Sequence, residues 1–528
     1  MSSLKIATAL ILALLMVCSG AHAADTATAF EQAATSSEIA GVSLSKIHRW
    51  LHEIALPKID PKTGLYLARG EWNYRDTAAD CYPFLTWAAW ATDRDALNGP
   101  VRDILAAEQK LCNTLDRIPS PYDLKAGKPM EISHDDQVFQ ASEYVKDGLI
   151  AIVEVTGKDA WFDRMRDIED DIWKHANVET PFGLIPSTNI EVNGEQIQAL
   201  ARLFTMTGER KYLKWATRLA DYYLSDEDFV PNRLRDHGCE ITGGLGLLLG
   251  VESVHDKVAY ERHAPRLKKM FNHILAKGCN EDGIMYNEIK KEKFGKRFRD
   301  FSDGWGYNYV GFLCYDYAGN TETYTPQIQT TLGALLKPAY DDYPWEGSID
   351  GYADSIEGAL YLLNRVDSAE GLQWVNQQTN EHLVHDKELM EHGDLWGTMK
   401  LQANAVRTTL MHAHMHTQGV LALPWQQGMR LGAAPDGDGL AIVLHSPVDW
   451  EGVLEFDQPR HKTYMGFTQD WPRMNTLPEW FTVDADMTYT IYIDDDANTA
   501  NVPGSALIKG MALKLKAGQT VKISVGLG

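Results

Sequence analysis

One run of this chain packs an acid, an indole, an amide and two phenols together: Phe301-Ser302-Asp303-Gly304-Trp305-Gly306-Tyr307-Asn308-Tyr309-Val310-Gly311-Phe312. On an exposed helix such rings would leave large apolar faces in water. Facing a sugar-sized cavity, aromatic faces stack on the C–H faces of a pyranose, while amide and acid groups take its hydroxyls. Cleaving a glycosidic bond needs a second carboxyl group. One acid, its pKa raised, protonates the leaving oxygen; the other activates water or attacks the anomeric carbon.

Comparable runs recur along the chain: Arg69-Gly70-Glu71-Trp72-Asn73-Tyr74-Arg75-Asp76, Ser133-His134-Asp135-Asp136-Gln137, Ser187-Thr188-Asn189, Arg235-Asp236-His237-Gly238-Cys239-Glu240 and Asp350-Gly351-Tyr352-Ala353-Asp354. The candidate acids are Asp80, Glu143, Glu195, Glu240, Asp303, Asp354 and Glu357. Acidic residues also cap helices and favour first turns, and Asp354 before Ser355-Ile356-Glu357 reads as a capping box. That pair is therefore set aside. Asp303 and Glu240 are expected as acid and base, with Trp305, Tyr307, Asn308, Asn189, Glu195, His134, Arg75 and Asp80 shaping the sugar site. Arg235 or His237 would address a uronate carboxylate. The same residues allow β-elimination, with Tyr309, His237, Asn308 and Arg235 as base, acid and carboxylate neutraliser. Sequence spacing leaves hydrolysis and elimination open, and a non-catalytic glycan-binding protein is a third reading. His412 and His416 have a usable zinc spacing on a helix, but no Glu adjoins the first, so packing is expected. No metal and no cofactor are expected.

The elements that must carry these runs repeat one two-helix plan. Nearly apolar helices, expected to be buried, span Thr77 to Ala91, Ala141 to Val155, Gly194 to Met206, Cys239 to Val251, Trp305 to Tyr317 and Ser355 to Val366. Each is followed by an amphipathic helix: Val101 to Leu115, Trp161 to His175, Lys211 to Leu224, Tyr260 to Lys277, Pro326 to Tyr340 and Glu370 to Leu383. Thr156-Gly157, Thr207-Gly208 and Ala318-Gly319 close three of the inner helices. Six pairs predict a mainly α chain, an (α/α)6 toroid over 44–419 with a final helix from Thr398 to Thr417 closing the ring. All six runs then meet at one mouth. From 420 to 528 the period changes to short strands, at Leu440–Leu444, Val453–Phe456, Trp480–Val483 and Tyr489–Ile493, with Met511–Lys516 and Thr520–Val525 as a hairpin. An antiparallel β-sandwich is expected there, with Asp494-Asp495-Asp496 in a loop.

The formal charge of the 528-residue chain is -23, and no Lys/Arg-rich run exists to hold nucleic acid or an anionic membrane. Residues 1–23 read as a cleaved signal peptide, with Lys5 before an apolar run and Ala21-His22-Ala23 as the cleavage signal. An exported protein, periplasmic or extracellular, is expected. Residues 24–43 read as a poorly ordered lead-in. The remaining cysteines, Cys81, Cys112, Cys239, Cys279 and Cys314, are expected as buried thiols. The oligomeric state is left open.

The helical-hairpin periodicity, Asp303-Gly304-Trp305-Gly306-Tyr307 and the stretch from Gly194-Glu195-Gln196 to Lys211-Tyr212-Leu213 resemble the six-hairpin glycosidase superfamily. That superfamily includes unsaturated glucuronyl hydrolases and glucuronidases, and the chain is also similar to toroid polysaccharide lyases. The resemblance implies a secreted glycoside hydrolase removing a terminal sugar, a uronic acid, from an acidic glycan; its alternative is a uronate lyase.

Overall fold

A computed structural model describes residues 2–66, 70–235, 237–293, 295–385, 400–494 and 499–528, with side chains from residue 26 onward. The chain divides into two units, residues 1–48 with 412–459 and 479–528, and residues 49–411 with 460–478.

The larger unit is helical. Among the described residues six helix pairs follow one another. The inner members are α1 (Tyr82–Thr92, entered through Asp76–Cys81), α3 (His134–Glu143, running through a wide turn Tyr144–Leu149 into Ile150–Thr156), α5 (Ile190–Thr207), α7 (Glu240–His255), α9 (Trp305–Gly319) and α11 (Ile349–Leu363). The outer members are α2 (Arg102–Cys112), α4 (Ala160–Lys174), α6 (Arg210–Leu224), α8 (Lys257–Gly278), α10 (Thr325–Ala334) and α12 (Ala369–Gln378). Almost every residue of α1, α5 and α7 is buried, whereas α4 and α6 bury one stripe. That division follows from the hydropathy patterns.

Neighbouring inner helices meet backbone to backbone. A Cβ on Gly194 would lie 2.5 Å from the backbone of Glu240, one on Gly246 2.6 Å from Gly311, and one on Gly306 2.5 Å from Gly358. The glycines of Gly243-Gly244-Leu245-Gly246 therefore serve mainly helix contact. A methyl placed there has nowhere to go, so Gly311→Ala is expected to cost about 1–3 kcal/mol, as overpacking does. An unchanged thermal melt would contradict it. Gly157 and Gly208 end their helices with φ of 73° and 75°, but after α9 the left-handed residue is Asn320, not Gly319. The succession closes through α13 (Lys400–His416). Thr408 donates to the Ala353 carbonyl at 3.1 Å, and the Arg407 guanidinium lies 5.2 Å from the Phe84 ring centroid. The last pair and the first thus flank one helix, consistent with a helical toroid.

One buried ion cluster locks outer helix to inner. His263 Nδ1 lies 2.8 Å from Glu252 and Nε2 3.0 Å from Asp221. Burial alone would lower the imidazole pKa, but the two carboxylates overcome it and push it up to about 9. A raised pKa stabilises fully below the ordinary value of 6.5 and is lost as pH climbs to about 9, a loss of about 3 kcal/mol. The melting temperature should fall across that window in the wild type and change less in His263→Gln.

The smaller unit contains two antiparallel sheets. The strands are β1 (Leu421–Leu423), β2 (Arg430–Asp436), β3 (Gly439–His445), β4 (Trp450–Glu455), β5 (Thr488–Ile493), β6 (Thr499–Pro503), β7 (Met511–Leu515) and β8 (Thr520–Leu527). One sheet has the order β6-β5-β8-β3-β2 and the other β7-β4-β1. β7 and β8 do not form the expected hairpin. β7 pairs with β4, from Met511 opposite Leu454 to Leu515 opposite Trp450, while β8 pairs with β3 and β5. The alternating pattern was right, but the Ala517-Gly518 turn passes the chain from one sheet to the other. Trp480–Val483 is not a strand, and most of the acidic run after Asp494 lies outside the described residues.

The lead-in 24–43, expected as poorly ordered, is helical within Ser2–Arg49. Its small residues let it lie flat on β2: a Cβ on Gly432 would meet the Ser37 nitrogen at 2.1 Å, and Ala33 packs with Ala434 and Val443. Trp425 donates to Ser45 at 3.2 Å. The side chains of the expected signal peptide lie outside the described residues. No described helix is long and apolar enough to cross a membrane. All five described cysteines are free thiols, and all but Cys279 are buried.

Candidate functional site

Five of the six pairs, together with α13 and the segment 460–478, contribute side chains to one open pocket. Asp80 comes from the entry to α1, Lys146 and Asp147 from the wide turn in α3, and His237, Cys239 and Glu240 from the start of α7. Tyr307 comes from α9, Asp350, Asp354 and Glu357 from α11, Asn404 and Arg407 from α13, and Met474 and Asn475 from the returning segment 460–478.

Two charge centres occupy this lining. In the first, Arg407 lies 2.6 Å from Asp354 and 2.7 Å from Glu357. The Tyr307 hydroxyl donates to Asp354 Oδ1 at 3.1 Å and also to Glu357, which accepts from Tyr361 at 2.6 Å. Asn404 donates to Asp350. Burial, together with the carboxylates of Asp350, Asp303 and Glu357, pushes Asp354 well above the usual carboxylate range despite Arg407. Its bonds from Arg407 and Tyr307 both go to Oδ1, so Oδ2 is the oxygen suited to carry a proton.

In the second centre, Lys146 Nζ bridges Asp147 and Glu240, each at 2.7 Å. Gln198 donates to the other Glu240 oxygen at 2.7 Å, and Asn475 to Asp147 at 3.1 Å. Burial would raise Asp147, but the Lys146 ammonium overcomes it and holds the carboxyl below its ordinary value. Glu240 is raised, because for it burial outweighs Lys146. One pocket therefore holds a carboxyl pushed above the usual range, Asp354, and one held below it, Asp147. Environments that separate two acids in this way assign an acid and a base.

The returning segment is pinned by a fully buried network. Glu154 accepts from Arg202 at 2.9 Å, from Arg473 at 2.8 and 2.9 Å, and from Thr476 at 3.1 Å. Arg202 also donates to the Met474 carbonyl at 2.7 Å. The guanidinium groups outweigh burial and pull Glu154 down to about 2. This fixes Met474 and Asn475 at the pocket rim.

Of the residues expected from sequence, Glu240, His237, Tyr307 and Asp80 line the pocket, and the others lie elsewhere. Asp303 is buried, accepts from the Gly304 nitrogen at 2.8 Å, and acts on the site through its charge on Asp354. Trp305 donates to Ser355 at 2.9 Å, Asn308 to the Leu234 carbonyl at 2.7 Å, and Tyr309 to the Gly283 carbonyl at 2.7 Å; all three are buried packing groups. Arg235 is paired with Glu346 at 2.8 Å, and half-exposed Arg75 with Glu143 at 3.2 Å. Asn189 caps α5, accepting from the Glu191 nitrogen at 2.9 Å, and His134 opens α3. Glu195 joins Glu143, Glu191 and the pocket-lining His237 in an adjoining cluster. His412 and His416 face each other at 3.2 Å, His416 also contacts Ser36, and burial lowers both pKa values.

The discounted pair, Asp354 and Glu357, is central. The helix they sit on is capped earlier, by Ser348, whose hydroxyl accepts from the Gly351 nitrogen at 3.1 Å. Asp354 is therefore an interior residue facing the pocket, not a cap. Lys146 and Arg407 were missed as well, although each carried a signal. A buried cation must have a buried partner.

No protein-family model matches the chain, and no curated protein matches it. Several solved structures match it at low similarity. An inactive variant of an alpha-1,6-mannanase from Salegentibacter sp., in complex with alpha-1,6-mannotetrose, is 13% identical, with a TM-score of 0.40, covering 59% of this chain and 96% of that one. The cellobiose 2-epimerase from Spirochaeta thermophila is 13% identical, with a TM-score of 0.38, covering 56% and 84%. The unsaturated glucuronyl hydrolase from Bacillus sp. GL1 is 12% identical, with a TM-score of 0.32, covering 72% and 96%.

Proposed function

We propose that the protein is an exported glycoside hydrolase that removes a terminal sugar in the pocket described above. The observation that carries this reading is the presence in one lining of Asp354 and Asp147, two carboxyl groups whose surroundings push their pKa values in opposite directions. Asp354 donates its proton to the departing glycosidic oxygen. Asp147, ionised beside Lys146, either directs water or attacks the anomeric carbon, and carbon–oxygen cleavage leaves a sugar with a new reducing end. Tyr307, Asn404 and Asn475 supply hydroxyl and amide groups for the sugar's own hydroxyls.

The lining brings six carboxyl groups and two fixed cations, and both cations are already paired with carboxylates. A uronate would have to displace Asp354 or Glu357 from Arg407, or Asp147 or Glu240 from Lys146. Coulomb repulsion from the remaining acids opposes that. The pocket therefore suits a neutral sugar better than the uronic acid expected from the sequence. Elimination is also poorly supported. Tyr309 is remote, and burial beside carboxylates pushes the Tyr307 hydroxyl pKa well up, which makes it a poor base.

A panel of aryl glycosides tests this reading. Release of the aryl group from a neutral glycoside, faster than from the corresponding glucuronide, is the expected result. Faster turnover of the glucuronide would overturn the substrate class, and an ultraviolet-absorbing unsaturated uronate would overturn hydrolysis itself.

A further inference from the structure

Beside the pocket, Glu143, Glu191, Glu195 and His237 each offer one ligand atom, all within 4.8 Å of one another. Glu143 comes from α3, Glu191 and Glu195 from the first two turns of α5, and His237 from the loop before α7. Glu191 and Glu195 are four residues apart, so one helix face presents both carboxylates.

A cluster of acids alone says little, but Glu195 adds a second observation. Its side chain is 1% exposed, and neither carboxylate oxygen has a hydrogen-bond partner. A buried carboxyl group with both oxygens unmatched carries a desolvation penalty that native proteins relieve with a partner. Here the neighbours aggravate it, since burial and the charges of Glu143 and Glu191 push Glu195 well up. Burial likewise raises Glu143 to about 8, although His237 and Arg75 oppose it. The surrounding cations do little to help Glu195. Arg75 is half exposed and spent on Glu143, and His237 Nδ1 lies 2.8 Å from Glu191. His237 also holds a left-handed backbone conformation, φ 62°, which turns its ring toward this cluster and the pocket at once.

We propose that Glu143, Glu191, Glu195 and His237 form a binding site for one divalent transition-metal ion, of the Mn²⁺ or Zn²⁺ class. An imidazole beside three carboxylates is the donor set that suits those ions, whereas Ca²⁺ and Mg²⁺ prefer oxygen alone. The ion supplies the positive charge that Glu195 lacks and ties α3, α5 and the His237 loop together. Because His237 also lines the pocket, the ion would fix that edge of the sugar site without taking part in proton transfer between Asp354 and Asp147. The site stands apart from the hydrolase reading and survives its failure.

Full-length protein, stripped with a chelator, is titrated calorimetrically with MnCl2, ZnCl2 and CaCl2, and its thermal melt is followed in parallel. One equivalent of Mn²⁺ or Zn²⁺ should bind, more tightly than Ca²⁺, and raise the melting temperature. Glu195→Gln, chosen because it keeps the shape of the side chain, should weaken binding at least about tenfold. Glu191→Gln, on the more exposed rim, should do the same and serves where Glu195→Gln folds poorly. Absence of stoichiometric Mn²⁺ or Zn²⁺ binding to the wild-type protein would overturn the proposal. So would tighter binding of Ca²⁺, or unchanged affinity in a folded variant of either glutamate.

Discussion

Asp354→Asn should lower kcat by about 10²–10⁴-fold, the range lost when a general acid is removed, while leaving the melting temperature close to wild type. The amide keeps the shape of the carboxyl group, and Glu357 still faces Arg407 at 2.7 Å. What disappears is a carboxyl group whose pKa burial and three neighbouring carboxylates push up. The pH profile separates this loss from simple disturbance. In the wild type, activity falls on the alkaline side as Asp354 ionises, and Asp354→Asn should lose that limb. Substrates with a good leaving group need less protonation, so they should be affected least. A variant with near wild-type turnover on a natural glycoside would remove Asp354 from the mechanism.

Glu154→Leu should destabilise the helical unit by about 3–5 kcal/mol, because it takes the carboxylate from buried Arg202 and leaves Arg473 with Asp470 alone, at 2.6 Å. Both guanidinium groups are 1% exposed, so water cannot take over the lost bonds. The same network predicts acid sensitivity. Glu154 is depressed from 4.5 to about 2, so its contribution is complete above the unfolded value and is lost as pH falls toward about 2. Denaturant titration of Glu154→Leu at neutral pH measures the first effect. Wild-type titrations from pH 5 downward measure the second. The triple replacement Glu154→Leu, Arg202→Met, Arg473→Met should recover much of the loss, since it removes the three charges together and Asp470 keeps its ion pair with Arg365. A full loss retained in the triple variant would show that the cluster does more than balance charge. Loosening of 460–478 should also raise KM, as Met474 and Asn475 are carried on that segment.

Helical periodicity located the architecture well. The apolar runs from Thr77 to Ala91 and from Cys239 to Val251 lie on α1 with its entry and on α7, which runs four residues further, because a helix buried on most sides is mostly apolar. The strands were less legible. β7 and β8 alternate as strands should, yet nothing local says that they join different sheets. The lead-in helix was hidden by its small residues, whose use is close approach at Gly432 rather than hydrophobic bulk.

The site was legible in kind and only partly in detail. Sequence reasoning placed carboxylates at one end of the pairs, and Glu240, His237, Tyr307 and Asp80 are indeed in the lining. The aromatic run around Asp303 misled. Trp305 and Tyr309 are large because they fill space between inner helices, with hydrogen bonds to Ser355 and Gly283. Asp354 was misread as a cap, since a capping box and an interior acid one turn apart look the same in sequence. Lys146 and Arg407 escaped because pairing across the unit is set by tertiary distance. Lys146 falls on a helix read for apolar content, and Arg407 on the helix expected to close the ring.

The central claim is that Asp354 and Asp147 flank the bond that breaks. A crystal of the Asp354→Asn variant soaked with a neutral oligosaccharide tests it most directly. The account predicts the scissile oxygen within about 2.6–3.2 Å of the side chain at position 354, with Asp147 facing the anomeric carbon. A sugar bound in the pocket with its glycosidic oxygen out of reach of position 354, or bound away from this lining, would contradict it.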